Sequence, residues 1–209
     1  MDIEKFIEKR PYLYHLTSNS NAKLIIAEKR LYSANELIKM SKDKQHLPVQ
    51  RKKRTNHYPL FINGNTYSLR DQKPISEKAL TKCLTDGWEV GDFLYHLNER
   101  VFMWPTLDRL WRHFNRYKEE KPIIFQFPTK DILNLNPHFL FCRLNSGATR
   151  ANSYLGGKPP TRGKQTFLPA DQFLYAVREV AEVTFPGNCD INVDFAYSSL
   201  PDGKYKKGD

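Results

Sequence analysis

Apolar and polar positions alternate along this chain in short runs, which predicts many small elements instead of a few long ones. Leu13-Tyr14-His15-Leu16 is a short apolar-rich run that reads as a strand, and beyond a polar Ser/Asn turn the spacing over residues 22–27 is helical. Thr17 to Asn21 therefore falls at a strand-to-helix corner. Residues 58–69 carry Asn63-Gly64-Asn65 between two apolar runs, the signature of a β-hairpin, with Arg70-Asp71-Gln72 at its exit. Helices are expected over 76–84, opened by Ser76 as N-cap and ended by Asp86-Gly87, over 93–98, and over 107–117 with apolar residues at 107, 110, 111 and 114. Strands are expected over 101–104, stopped by Pro105, over 123–127 and over 181–185.

Two stretches lack any apolar pattern. Residues 41–58 hold four consecutive cations, Arg51-Lys52-Lys53-Arg54, and read as an exposed, mobile basic segment. Residues 143–169, rich in Gly, Pro, Asn, Thr, Arg and Lys, read as a long loop, and a loop of that length inside a compact domain is either functional or disordered. No repeat or linker divides the chain. The expectation is one α+β domain over residues 1–209, with mixed central sheets and short helices.

Composition narrows the function classes. Lys and Arg total 33 against 23 Asp and Glu, a formal charge of +10, which suits a polyanionic partner as well as simple solubility. The three cysteines, Cys83, Cys142 and Cys189, are odd in number and far apart, so neither a disulfide framework nor a CxxC metal site is expected. With no apolar run near the roughly 20 residues of a membrane span and no secretory layout at the N-terminus, the expectation is a cytoplasmic protein away from membranes. A Gly-rich phosphate loop, a GxSxG elbow and a metal-spaced cluster among the six histidines are all missing from the sequence.

What remains for chemistry is a polar corner with His15, Thr17 and Asn21, an arginine after a hairpin, Arg70, and a glutamate in an apolar strand, Glu182. Tyr14-His15-Leu16-Thr17 followed by Asn21 resembles the N-terminal NAD-binding motif of DarT-type ADP-ribosyltransferase toxins, and Ala181-Glu182-Val183 resembles the strand carrying that group's catalytic glutamate. Leu69-Arg70-Asp71-Gln72, Leu97-Asn98 with Arg100-Val101-Phe102, and Asn145-Ser146-Gly147-Ala148-Thr149 are similar to an uncharacterised bacterial family placed beside that group, over roughly residues 12–191.

The resemblance implies an ADP-ribosyltransferase-like fold using NAD+ as substrate with no metal. Breaking the nicotinamide–ribose bond develops positive charge, so the site must hold the dinucleotide and place negative charge beside it. Glu182 would be the catalytic carboxylate, with Glu179 expected on the same strand face; a solvent-facing edge glutamate is the alternative. Arg70 would grip the pyrophosphate with its fork of donors, or else pair with Asp71. His15, Thr17 and Asn21 would hydrogen-bond the nicotinamide amide and ribose, or serve as a core histidine and helix caps. Tyr32, Phe102 and Trp104 are either stacking rings or core.

The 143–169 loop interleaves the cations Arg143, Arg150, Lys158, Arg162 and Lys164 with Asn145, Asn152 and Tyr154, a mixture that suits phosphates and stacked bases of single-stranded DNA or RNA, with the two left open. Residues 51–54 would add phosphate contacts or dock an acidic antitoxin. The expected function is a nucleic-acid-modifying ADP-ribosyltransferase serving as a toxin or phage-defence effector. The alternatives are a catalytically inert nucleic-acid-binding module and a transferase acting on protein. Convergence of Glu182, Arg70 and His15 on one cleft discriminates the first alternative, and the charge of the folded loop the second.

Overall fold

The strand-to-helix corner forms where the pattern puts it: strand β1 (Tyr12–Thr17) passes through Ser18 into helix α2 (Asn19–Glu28). Ser18 caps that helix, its hydroxyl accepting the Asn21 N–H at 3.2 Å. The computed structural model describes residues 1–208. Between α2 and the hairpin lie β2 (Arg30–Tyr32) and α3 (Ala34–Met40), and ahead of β1 lies α1 (Ile3–Lys9), none of which the hydrophobic pattern announces.

The hairpin, β3 (Tyr58–Ile62) and β4 (Asn65–Leu69), turns at Asn63 and Gly64 with φ of 49° and 81°. Two successive positive φ values give the turn whose twist matches paired strands, which is why Asn-Gly sits there. Next come α4 (Glu77–Thr81), α5 (Val90–Asn98), β5 (Arg100–Met103) and α6 (Leu107–Tyr117). They are followed by β6 (Ile123–Pro128), α7 (Thr129–Leu135), β7 (Leu140–Cys142), β8 (Glu182–Pro186), β9 (Asn188–Asp190), β10 (Ala196–Ser198) and β11 (Lys206–Lys207). The domain is mixed α+β, with several small sheets and short helices.

Two sheets organise it. One runs β1-β6-β10-β11 and the other β5-β8-β7, with antiparallel pairing in both. Their facing sides close a core of Leu13, Phe125 and Phe127 against Met103, Phe141, Val183 and Phe185, with Phe6 of α1 packed on Phe141. The sheets touch through one bridge, Tyr14 to Trp104, with N–H···O distances of 2.9 and 2.8 Å. No ladder continues past it, so from His15 onward β1 and β5 part. Smaller cores lie under α6 (Tyr14, Leu110, Phe114), under the hairpin (Leu37, Leu60, Tyr67) and beneath α4 and α5 (Leu80, Phe93, Phe167).

Three expectations need correction. Residues 41–58 are not a free basic arm: residues 44–50 form a short 3-10 helix, Arg51 pairs with Asp92 and Arg54 is held by hydrogen bonds to Arg70, Gln72 and Asn98. Glu179 is not on the strand, because Val177–Glu179 is a separate turn ahead of β8. Leu107, read as part of the apolar face of α6, is 37% exposed, and the buried face is Leu110, Phe114 and Tyr117.

Candidate functional site

Where β1 leaves β5, a cleft of about 170 Å³ opens. It is lined by His15 and Thr17 from β1, Asn21 from α2, Tyr32 from β2, and Arg54 and Arg70 from either side of the hairpin. The corner and the hairpin exit, 50 residues apart in sequence, thus face one space.

His15 fills the first gap between the parting strands, its Nδ1 2.9 Å from the Phe102 carbonyl oxygen. A carbonyl can only accept, so Nδ1 carries the proton and Nε2 remains an acceptor. Burial, together with the nearby Arg70 charge, pushes the His15 pKa down to about 4, so the ring is neutral at physiological pH. Thr17 is buried at the next position on the same strand face.

Asn21 is occupied otherwise than a ligand-binding amide would be. Its Nδ2 donates to the Ser68 carbonyl and its Oδ1 accepts the Ser68 N–H, both at 2.9 Å. This two-point clamp locks the hairpin strand to the corner, two residues before Arg70.

Arg70 is a buried cation without an anion. Its guanidinium lies 4.1 Å over the Tyr117 ring, while both Nη atoms are buried and lack a hydrogen-bond partner. Asp71 does not neutralise it; that carboxylate turns to His57, 3.3 Å away. Burial pulls the Arg70 pKa down against the charges of Glu120, Tyr117 and Asp71; the Tyr117 hydroxyl also lies close enough to favour the charged guanidinium, but it does not reach either Nη with hydrogen-bond geometry. Burying a cation without full pairing is costly, and the fork is matched to an oxyanion. Beyond Tyr117, His113 stacks at 4.3 Å on Trp104, whose Nε1 is also buried and unpartnered.

Sequence reasoning missed Arg54 as an individual residue, since one cation in a run of four looks solvated. It is the scaffold of this cleft: Nε donates to the Arg70 carbonyl at 2.8 Å and Nη1 to Asn98 Oδ1 at 3.0 Å. Burial pushes its pKa down to about 10. The only signal in the sequence is its place just ahead of a hairpin whose exit carries Arg70.

Glu182 lies elsewhere. It opens β8 opposite Cys142, is 3% exposed, and its Oε2 accepts the Ser146 N–H at 3.0 Å. Burial raises its pKa, opposed by the Ser146 hydrogen bonds and by the charges of Arg162 and Arg109. The residues lining the His15–Arg70 cleft do not include Glu182. A second cavity of about 440 Å³ opens beside its neighbour Cys142, under the 143–169 loop. Phe102, one strand away, packs on Phe167.

The loop is ordered by its own cations. Arg162, 3% exposed, donates through Nε and Nη2 to the carbonyls of Ala148 and Asn145, so it lies inside the loop and is not placed to meet a phosphate. Arg143 pairs with Glu179 at 2.8 Å and stacks 4.0 Å over Tyr175, while Tyr154 hydrogen-bonds the same carboxylate. Asn145, Arg150, Tyr154 and Lys164 are exposed. Of the loop cations expected to meet phosphates, Arg150, Lys158 and Lys164 are exposed and have no ion pair among the described residues. Among the described residues no group of three His, Cys, Asp or Glu side chains could hold a metal, and no helix is long and apolar enough to cross a membrane.

These features define an α+β domain with a polar cleft at the parting of two sheets, furnished with a neutral imidazole and a guanidinium lacking its anion. The chain belongs to the Family of unknown function (DUF7002), whose model matches residues 11–191. No curated protein matches it, and no solved structure does.

Proposed function

We propose that this protein is a cytoplasmic, NAD+-dependent ADP-ribosyltransferase that modifies nucleic acid, as a toxin or phage-defence effector. The observation that carries the reading is Arg70: a buried guanidinium whose two Nη atoms have no acceptor, on the same cleft as His15 and Thr17. An orphaned buried cation calls for an oxyanion, and a pyrophosphate supplies one. The cleft's 170 Å³ suits one end of a dinucleotide, such as its nicotinamide, and the remainder would run outward past Arg70.

When bound, NAD+ supplies an ADP-ribosyl group with nicotinamide as leaving group. His15, as a neutral acceptor at Nε2, would receive a hydrogen bond from an amide or ribose hydroxyl. Arg70 would hold phosphate oxygens, with Arg54 fixing its backbone carbonyl and Asn21 clamping the strand at Ser68. Glu182, with its pKa raised by burial, is suited to accept a proton from an acceptor group. An antitoxin partner and the choice of DNA or RNA belong to the same proposal.

The absence of Glu182 from the cleft lining favours a second reading, a nucleic-acid-binding module that keeps the fold without catalysis. Incubating the protein with labelled NAD+ and, separately, single-stranded DNA, RNA and a protein extract decides between them, with Glu182→Ala as control. Glutamate-dependent label on a nucleic acid supports the transferase. Label on protein alone redirects it to a protein acceptor, and nucleic acid bound without label anywhere leaves the binding module.

A further inference from the structure

The helix α6 carries Arg109, Arg112 and Arg116 within about 60° of its circumference, at 100° per residue. Its core face is Leu110, Phe114 and Tyr117. The arginine face borders that core face on the side of His113, whose ring meets both Trp104 and Tyr117 and thereby the wall beneath Arg70. None of the three arginines has a carboxylate within ion-pairing distance or any other polar partner among the described residues. Asp108, one turn from Arg112, is exposed and does not pair with it. The C-terminal acids are turned away, Glu120 to His57 and Glu119 to Lys118.

The cluster extends beyond the helix. Arg109 lies in the field of Glu182 and also in those of Arg112 and Arg10, and Arg10 reaches no acceptor but the Lys9 carbonyl. At the other end, His113 lies in the fields of Arg70 and Arg116. The row thus runs from the Glu182 end of the molecule to the Arg70 end. Like charges gathered without counter-ions repel one another, and a polyanion relieves that repulsion.

We infer that Arg10, Arg109, Arg112 and Arg116 form the phosphate-binding track of this protein and that a single-stranded nucleic acid lies along α6. From Arg109 to Arg116 the helix rises about 10 Å at 1.5 Å per residue, the length of about three nucleotides of a stacked strand at 3.4 Å each. Of the loop cations, Arg143 is paired and Arg162 is buried, and the exposed Arg150, Lys158 and Lys164 lie six to eight residues apart along an irregular loop, with no common helix face to align them. Exposed Tyr12, two residues from Arg10, adds a ring on which a base can stack. This inference deepens the transferase reading by naming where its acceptor lies, but its test uses binding without NAD+, so each can fail alone.

The test is the salt dependence of binding a fluorescent 12-nucleotide oligo(dT) or oligo(rU), followed by anisotropy. The triple variant Arg109→Gln/Arg112→Gln/Arg116→Gln is expected to bind at least tenfold more weakly and to lower the slope of log K against log salt by about 2, at about 0.7 per phosphate contact. The triple variant Lys52→Gln/Lys78→Gln/Lys82→Gln removes the same charge from other exposed positions and is expected to keep both values within twofold. An unchanged slope in the arginine variant, or an equal loss in the lysine variant, overturns the track. Poly-glutamate of matched charge is expected to compete weakly, and competition equal to that of unlabelled oligonucleotide would transfer the surface to an acidic protein. Should the triple arginine variant fail to fold, Arg112→Gln alone, at an exposed position, must still lower the slope by about 0.7.

Discussion

The imidazole of His15 donates from Nδ1 to the carbonyl oxygen of Phe102, 2.9 Å away, across the point where the two sheets separate. One bond therefore joins the sheets beyond their bridge and fixes the tautomer of a ring lining the cleft. Nitrogen-15 spectra of the histidines should show His15 protonated at Nδ1 at neutral pH and titrating near pH 4, well below the ordinary 6.5. Titration at the ordinary value would mean that the ring is solvated and the bond absent.

His15 shares this behaviour with two other half-buried histidines. Burial pushes the pKa of His96 down to about 4 and that of His113 to about 3, so all three fold as neutral rings. The unfolded chain protonates them near 6.5 and the folded chain does not, so their contribution to stability is full above pH 6.5 and is lost as pH falls toward 4. Urea denaturation at pH 7.5 and 5.0 should differ by about 2 kcal/mol for each of His15 and His113, at 1.4 kcal/mol per unit below 6.5, and by less for His96, which solvent screens more. His113→Phe should remove its share of the difference. A stability that stays flat over this range would contradict the burial of these rings.

Asn21 separates a positioning role from a binding one. Asn21→Asp keeps an acceptor for the Ser68 N–H but sets a carboxylate against the Ser68 carbonyl, where the amide now donates. Its expected cost is about 1–3 kcal/mol of stability, the usual penalty for a lost buried hydrogen bond with an unsatisfied partner. Ligand binding should weaken along with stability. Wild-type stability combined with lost NAD+ binding would instead make Asn21 a direct ligand.

How far the sequence discloses this site depends on the range of the interactions involved. The corner is legible because Ser18 caps α2 through a contact three residues away, and the hairpin because Asn63-Gly64 determines its turn. The burial of Arg54 is set by Asn98 and the Arg70 carbonyl, contacts 44 and 16 residues away that a local charge run conceals. The strands β2 and β9 have three residues each and pair across some 160 positions, so neither has a period to read. Over α6 the apolar period predicts the helix, but the meaning of its arginine face emerges only once Arg10, Arg70 and Glu182 are placed around it.

Arg70 should separate stability from binding. Its two Nη atoms contribute no hydrogen bond to the fold, so Arg70→Met, which retains apolar contact with Tyr117, is expected to leave the thermal midpoint unchanged or raised. NAD+ affinity, measured by calorimetry, should fall tenfold to a hundredfold, corresponding to about 1.5–3 kcal/mol for hydrogen bonds to a charged group. Arg70→Lys should recover only part of that loss, because an ammonium cannot reproduce the fork. Unchanged affinity in Arg70→Met would remove the arginine from the binding site, whereas strong destabilisation would show that its burial serves the fold.

For Glu182, the prediction concerns both loss of activity and its pH dependence. Glu182→Gln keeps an oxygen for the Ser146 N–H and should fold normally, but it cannot take up a proton and should lower the rate of transfer by at least a factor of about 100. In the wild-type protein burial raises the glutamate's pKa above the ordinary 4.5, so the rate should fall with decreasing pH along a limb centred above that value. Arg109 opposes the shift, since its positive charge favours the ionised carboxylate. Arg109→Gln should therefore move the limb to higher pH, measured in single turnovers at saturating NAD+ and acceptor so that weakened binding does not enter. A limb that moves with Arg109 and vanishes in Glu182→Gln assigns the titration to this carboxylate; a limb that survives in Glu182→Gln assigns it to another group.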